Sequence, residues 1–252
     1  MDTSLPFSPV RSYLLEARYE FLRLLRTPSF AVPTLLFPVL FYLLFGVLLG
    51  SRGGRGASEY LLATYGVFGV MGVALFGFGV SVALDRERGW LTWKRAMPMP
   101  PGAYLIAKMA MAMMFAAIIS VMLALIAGSM AGVSLRPAQW AMLAMINILG
   151  VLPFAALGLW LGSLMGGQGA PAVINLIHLP MSFLSGLWLP LNLLPDAIAR
   201  AAPIWPSYHL AQIALHVVGK DAGKPVGVHL MVLALTTLAF TALAWRRLAR
   251  RH

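Results

Sequence analysis

Asp85-Arg86-Glu87-Arg88-Gly89, running on through Trp93-Lys94-Arg95 to Met97-Pro98-Met99-Pro100-Pro101, is a compact island of charge between two long apolar stretches, Glu59–Leu84 and Gly102–Ala131. A charged residue at the centre of a membrane helix costs roughly 2.5–3.5 kcal/mol on insertion scales, so Asp85 to Arg88 together would cost on the order of 10 kcal/mol. The island is therefore expected at a water-exposed surface, where a soluble molecule could grip it. The stretches on either side are expected in lipid.

Composition supports that division. The chain has 252 residues, 60% hydrophobic and 11% charged, with a mean hydropathy of +0.82. Soluble domains carry about 25% charged residues, so the fold class is an all-α integral membrane protein. Cysteine is absent, which excludes disulfides, thiol catalysis and cysteine metal sites. The net charge of +11 could mean nucleic acid, but the cations cluster at the ends of apolar segments, as a positive-inside bias requires, and no nucleic-acid partner is expected.

Working outward from the island, six spans are expected: 29–50, 59–84, 102–131, 138–165, 170–189 and 226–245, forming a single domain over 1–252. Each is about as long as a bilayer crossing requires. Residues 1–28 carry too many charges for a signal peptide. Within them, Val10, Tyr13, Leu14, Ala17, Phe21, Leu24 and Leu25 gather on one helical side. That pattern fits an amphipathic helix in the membrane interface or an ordinary helix packed on the protein. The stretch 190–224 holds Pro195, Asp196, Arg200, Pro203 and Pro206 and reads as short helices at the membrane edge. Six spans place both termini on one side. Lys and Arg number 13 on the side of the termini and the island, against 6 on the other, so the termini and the island are expected in the cytoplasm. Gly158, Gly162 and Gly166 form a GxxxGxxxG series, which suits tight packing inside one subunit or between two.

Several chemistries find no support. There is no phosphate-binding loop, so the chain does not read as an ATPase. His178 lies in the fifth span beside Asn175, either as a functional group or as a neutral imidazole bonded to a neighbouring helix. His209, His216 and Asp196 lack metal-ligand spacing, and no metal site is expected. The spans carry almost no carboxylate at mid-depth, which argues against an ion-driven secondary carrier and weakens an intramembrane enzyme. Energy then has to come from elsewhere, and the island is the natural place to receive it.

These features resemble the ABC-2 type transporter permeases, the membrane subunits of exporters driven by an ATP-binding cassette. Three ordered matches carry the resemblance. The first runs from Asp85-Arg86-Glu87-Arg88-Gly89-x-Leu91 through Met97-Pro98 to Tyr104-Leu105-x-x-Lys108. The second is Ser185-Gly186-Leu187-Trp188-Leu189-Pro190 with Leu194-Pro195, and the third is Trp205-Pro206-Ser207-Tyr208-His209. Met97 and Trp188 depart from the family pattern, where a small polar residue and a smaller side chain are usual.

The resemblance implies two permease copies working with two ATP-binding subunits, which would hold the ATP and Mg, with no cofactor on this chain. It implies that 85–100 forms a cytoplasmic coupling helix, with Asp85, Arg86, Glu87, Arg88, Gly89, Trp90 and Trp93 meeting the ATPase. The amphipathic N-terminal helix would lie nearby. Short re-entrant helices over 190–216 would border an outer gate, with Asn175, His178, Ser185, Gly186, Pro190, Pro195 and Pro206 along the translocation pathway. The protein would sit in the cytoplasmic (inner) membrane and export an amphipathic, lipid-like or drug-like molecule, without being an enzyme itself.

Overall fold

Proline and glycine decide where these apolar helices begin, bend and stop. A computed structural model describes residues 9–50, 55–90 and 102–249. Among them every regular element is helical. Helix α1 spans Pro9–Leu25 and α2 Pro28–Phe41, the latter continuing through a widened π-helical segment, Tyr42–Leu49. Helix α3 runs Arg55–Ala74, widens at Leu75–Val80 and ends as Ser81–Glu87. Then follow α4 (Ala103–Ser129), α5 (Pro137–Leu149), α6 (Val151–Leu164), α7 (Ala170–Leu184), α8 (Asp196–Ala201), α9 (Pro206–Val217) and α10 (Val226–Ala249). Prolines begin α2, α5 and α9, at a position where the missing N–H has no helical partner to lose.

Five helical stretches are long and apolar enough to cross a membrane: Pro28–Leu48, Gly56–Glu87, Ala103–Ser129, Pro137–Leu164 and Val226–Arg247. The expected fifth span, 170–189, is shorter. Helix α7 has 15 residues, about 22 Å at 1.5 Å per residue, and turns at Ser185-Gly186. The second span is longer than its hydropathy suggested, because α3 continues through Asp85, Arg86 and Glu87. The first three residues of the island are thus the last turn of a helix rather than the start of a loop. The fourth span breaks at Gly150, between α5 and α6.

Helix α3 lies at the centre, with α2, α4, α6 and α9 packed around it and α7 against its widened turn. Over its membrane-crossing stretch α3 is largely buried, whereas α10 leaves most of its length exposed. The widened turns free backbone carbonyls that side chains then use. Ser58 Oγ donates to Gly46 O at 2.7 Å, and the Ser81 hydroxyl donates to Gly77 O. Close approach explains part of the glycine series. A Cβ on Gly162 would lie 2.5 Å from Gly79 O, and one on Gly158 would lie 3.1 Å from Ala74 O and 3.2 Å from Gly79 N. Both glycines are therefore in contact with α3 of the same chain. Gly166 is exposed and its Cβ would meet only Glu87 Oε2, at 4.0 Å.

Candidate functional site at the charged end of the second span

The end of α3 is built around an ion-pair cluster drawn from three helices. Glu20 on α1 and Asp85 on α3 are each 4% exposed, and Lys108 on α4 is fully buried. The Lys108 ammonium donates to Glu20 Oε1 at 2.5 Å and to Ser81 Oγ at 2.7 Å, and it lies 3.1 Å from Asp85 Oδ2. Arg23 bridges the other side, at 2.7 Å from Glu20 Oε1 and 3.1 Å from Asp85 Oδ1. The Tyr104 hydroxyl donates to Asp85 Oδ2 at 2.8 Å. Two carboxylates face two cations, so the cluster is neutral overall. Buried charges persist only when paired and hydrogen-bonded in this way.

Asp85 therefore departs from the expectation that the whole island must face water. The lipid penalty applies to unpaired charge, and the partners of Asp85 lie 62 and 23 residues away, beyond any local pattern. Arg23 also differs from an ordinary surface arginine. Burial alone would favour its neutral form, but the Glu20 and Asp85 carboxylates hold its pKa above the usual arginine value. Helix α1 correspondingly packs along α4, with Phe21 5.2 Å from Phe115 between ring centroids. Leu24 is buried, while Val10 and Leu14 stay exposed. The apolar side that periodicity assembled is thus shared between protein and surroundings.

Beyond Asp85 the segment faces outward in stages. Arg86 Nη1 donates to Gly162 O at 2.8 Å, and the Gly167 N–H donates to Glu87 Oε2 at 2.5 Å. These two bonds tie the end of α3 to the last turn of α6 and to the turn that follows it. Glu87, Arg88 and Trp90 are exposed. The Trp90 ring lies 5.8 Å from the Arg23 guanidinium carbon, a cation–π distance. Gly89 and Gly102 both have left-handed backbone, φ +72° and +81°; such geometry costs residues with a Cβ about 1–2 kcal/mol. Glycine thus follows the end of α3 and precedes the start of α4. Trp93, Lys94, Arg95, Met97, Pro98, Pro100 and Pro101 lie outside the described residues.

The residues expected along a pathway divide between two environments. Asn175 is exposed on α7, whereas His178 is buried. His178 stacks on Phe68 at 4.9 Å and 17°, and its Nε2 faces Gly72. Trp188 meets Phe68 edge-on at 5.9 Å and Phe41 at 5.9 Å. His178 Nε2 and Trp188 Nε1 are buried without hydrogen-bond partners among the described residues. Ser185 and Ser207, from two of the sequence matches, meet at 2.5 Å. The Tyr60 hydroxyl donates to Gly186 O at 2.8 Å. Pro190 and Pro206 are half-buried, and Pro195 is exposed. Sequence reading missed the Glu20–Lys108 pair, the Asn147 amide donating to Ser120 Oγ at 3.0 Å, and the ties of Arg86 and Glu87 to glycine backbone. A lysine or asparagine on an otherwise apolar helix was the available signal.

At the opposite end, His209 pairs with His229 rather than with His216. Their Nδ1 atoms are 2.9 Å apart, and His209 Nε2 is 2.9 Å from Pro203 O. A carbonyl only accepts, so His209 carries its proton on Nε2 and accepts from His229 through Nδ1. His216 instead meets Asp221 at 3.3 Å. No group of three or more metal-ligating side chains occurs among the described residues. Burial lowers the pKa of His209 below its ordinary value of 6.5, with Lys224 adding to the effect against the opposing Pro203 bond. The folded state then binds fewer protons than the unfolded chain below about pH 6.5. Lowering pH from 7.5 to 5.5 should reduce the melting temperature in detergent, and H209N should flatten that slope between pH 7.5 and 6. Equal slopes in both chains would remove His209 as the cause.

Comparison with known proteins agrees with this architecture. The family described as ABC-2 type transporter matches residues 12–219. A protein of Bacillus subtilis (strain 168) named "Putative transport permease YvfS" is 26% identical over 227 residues, covering 89% of this chain and 92% of that protein. The family match spans α1 through the end of α9 and so takes in the ion-pair cluster, the glycine contacts and the paired serines. This chain is a multi-pass membrane protein that belongs to the ABC-2 type transporter family of transport permeases.

Proposed function

We propose that this permease is the membrane subunit of an ATP-binding cassette exporter. Two copies pair with two ATP-binding subunits, the termini and residues 85–101 face the cytoplasm, and α7 with its following turn supplies a sixth crossing of the inner membrane. The observation that carries the reading is the end of α3. There, exposed Arg88 and Trp90 stand directly beyond a buried cluster that joins α1, α3 and α4. A force applied to the exposed segment would reach all three helices without passing through a flexible link. Trp and Arg are also the side chains that most often anchor an interface.

The exported molecule is amphipathic, lipid-like or drug-like. The aromatic seam of Phe41, Tyr65, Phe68 and Trp188 between the first, second and fifth spans supports a pathway there, with His178 and Trp188 offering unpaired polar atoms to a passing group. Carboxylates at a span end, already engaged in ion pairs, do not favour an ion-driven carrier.

The test is reconstitution with the ATP-binding partner. R88E combined with W90A should weaken binding of the partner by about 30-fold, the effect of losing roughly 2 kcal/mol from an interface anchor. ATP-driven transport should fall with it while the melting temperature drops by only a few degrees, the loss expected from the Trp90–Arg23 contact alone. Unaltered binding and transport would sink the docking assignment, and transport that persists without ATP would replace the exporter with a carrier.

A further inference from the structure

Where the fourth span breaks, the fold leaves a groove that none of the described residues fills. Helix α10 packs along α6 and α9 rather than on α5. Because the backbone changes course at Gly150 and Pro153, α5 parts from α10 on one side of the break. The space between them has a volume of about 290 Å³. Met145 and Leu149 form one wall, Leu230 and Ala234 the other, and Leu210 and Ile213 of α9 the floor. The floor is almost completely buried, whereas Met145, Leu149 and Leu230 are each at least half exposed, so the groove opens sideways. Its lining is almost wholly apolar. The one hydroxyl, on Thr237, already donates to Leu233 O at 2.7 Å.

We propose that this groove holds one acyl chain of a phospholipid from the leaflet opposite the ion-pair cluster. Depth is the first argument. The groove begins about four residues into α10 and ends about eleven residues in, or roughly 6–17 Å along the helix at 1.5 Å per residue. That interval, about 10 Å long, lies mostly within one leaflet of a hydrocarbon core about 30 Å thick. Size is the second. The volume is about ten times the roughly 30 Å³ that one water takes up in the liquid, room for a segment of chain rather than for one small molecule. Charge is the third. Arg136 begins α5 and Lys224 precedes α10, and both are exposed at the ends of the two walls. They stand where the phosphate of a lipid whose tail enters the groove would lie, and cations near a bilayer surface attract such groups. Closure from above is the fourth. Gln139 Nε2 donates to Val217 O at 2.6 Å, which joins the first turn of α5 to the end of α9 and leaves only the lateral opening toward lipid.

A groove differs from the rest of the lipid-facing surface because it contacts a chain on three sides. A tail seated there forms more dispersion contacts than one lying on a convex helix, and it fills a void that would otherwise weaken the α5–α9–α10 junction.

The full chain would be placed in phosphatidylcholine nanodiscs containing a few per cent of a phosphatidylglycerol with a photoactivatable diazirine near the end of one acyl chain. Adducts would be mapped by mass spectrometry. The expected result is labelling at Met145, Leu149 and Ala234 at least fivefold above Leu125 and Leu176, which are 67% and 74% exposed but outside the groove. A234W should abolish the groove adducts and leave the others. R136Q/K224Q should reduce them about fivefold for each cation removed. Labelling that simply follows exposure in the unmodified chain overturns the proposal without reference to any variant. Since the chain has no cysteine, L149C provides the competing outcome. Efficient disulfide dimers of L149C in the same nanodiscs would assign the groove to a second copy and overturn the lipid.

Discussion

K108M should leave little of the protein folded. Lys108 is fully buried against Glu20 and Asp85, and methionine would leave two buried carboxylates sharing one arginine. Deleting one partner of a buried ion pair costs about 3–5 kcal/mol, a large part of the 5–15 kcal/mol that holds a typical domain together. The expected readout is a steep loss of monodisperse protein in detergent and a melting temperature lower by many degrees. A second substitution separates charge from packing. In E20Q/K108M the remaining pair, Asp85 and Arg23, is neutral again, so the double variant should be more stable than K108M alone. If E20Q brings no recovery, the lysine acts through its volume and the electrostatic account fails.

G162A should be the most damaging of three changes that look alike in the sequence. The new methyl would lie 2.5 Å from Gly79 O, 3.2 Å from Gly79 C and 3.3 Å from Gly79 Cα. All three atoms are backbone, so no flexible side chain can yield and α6 must move away from α3. Overpacking of this kind costs about 1–3 kcal/mol or more. The shift would also disturb the carbonyl that accepts the Arg86 bond, loosening the end of α3. G158A should cost less, because its nearest neighbours lie at 3.1–3.2 Å. G166A, with its nearest neighbour at 4.0 Å, should be nearly silent. Melting temperatures of the three variants test the order. Equal losses at all three positions would remove close approach to α3 as the cause, since helix propensity alone favours alanine over glycine.

That graded expectation shows what a spacing motif conveys. The series Gly158, Gly162 and Gly166 announced a surface where helices approach closely, but not which helix approaches. Gly79 supplies the answer, and it sits in a widened turn whose position depends on how α3, α6 and α7 meet. The same holds for His209. Its spacing from His216 and Asp196 fits no metal site and offers no partner, whereas the fold supplies His229 from α10.

The charged island follows the same pattern. Its break in hydropathy located the end of the second span and the surface segment beyond it, because a run of charge cannot lie unpaired in lipid. Hydropathy also marked the membrane class and five of the long crossings, since the cost of burying polar groups in hydrocarbon is local and additive along a helix. Pairing is neither local nor additive. Asp85 is buried because Arg23 and Lys108 reach it from two other helices, and Glu87 is tied to a glycine 80 residues away. Hydropathy along the chain suffices to mark the apolar stretches and the place where charge must return to water, because that cost is local. Which charges face each other and which glycines meet backbone follows from the assembled helices, because both depend on atoms brought together from distant positions.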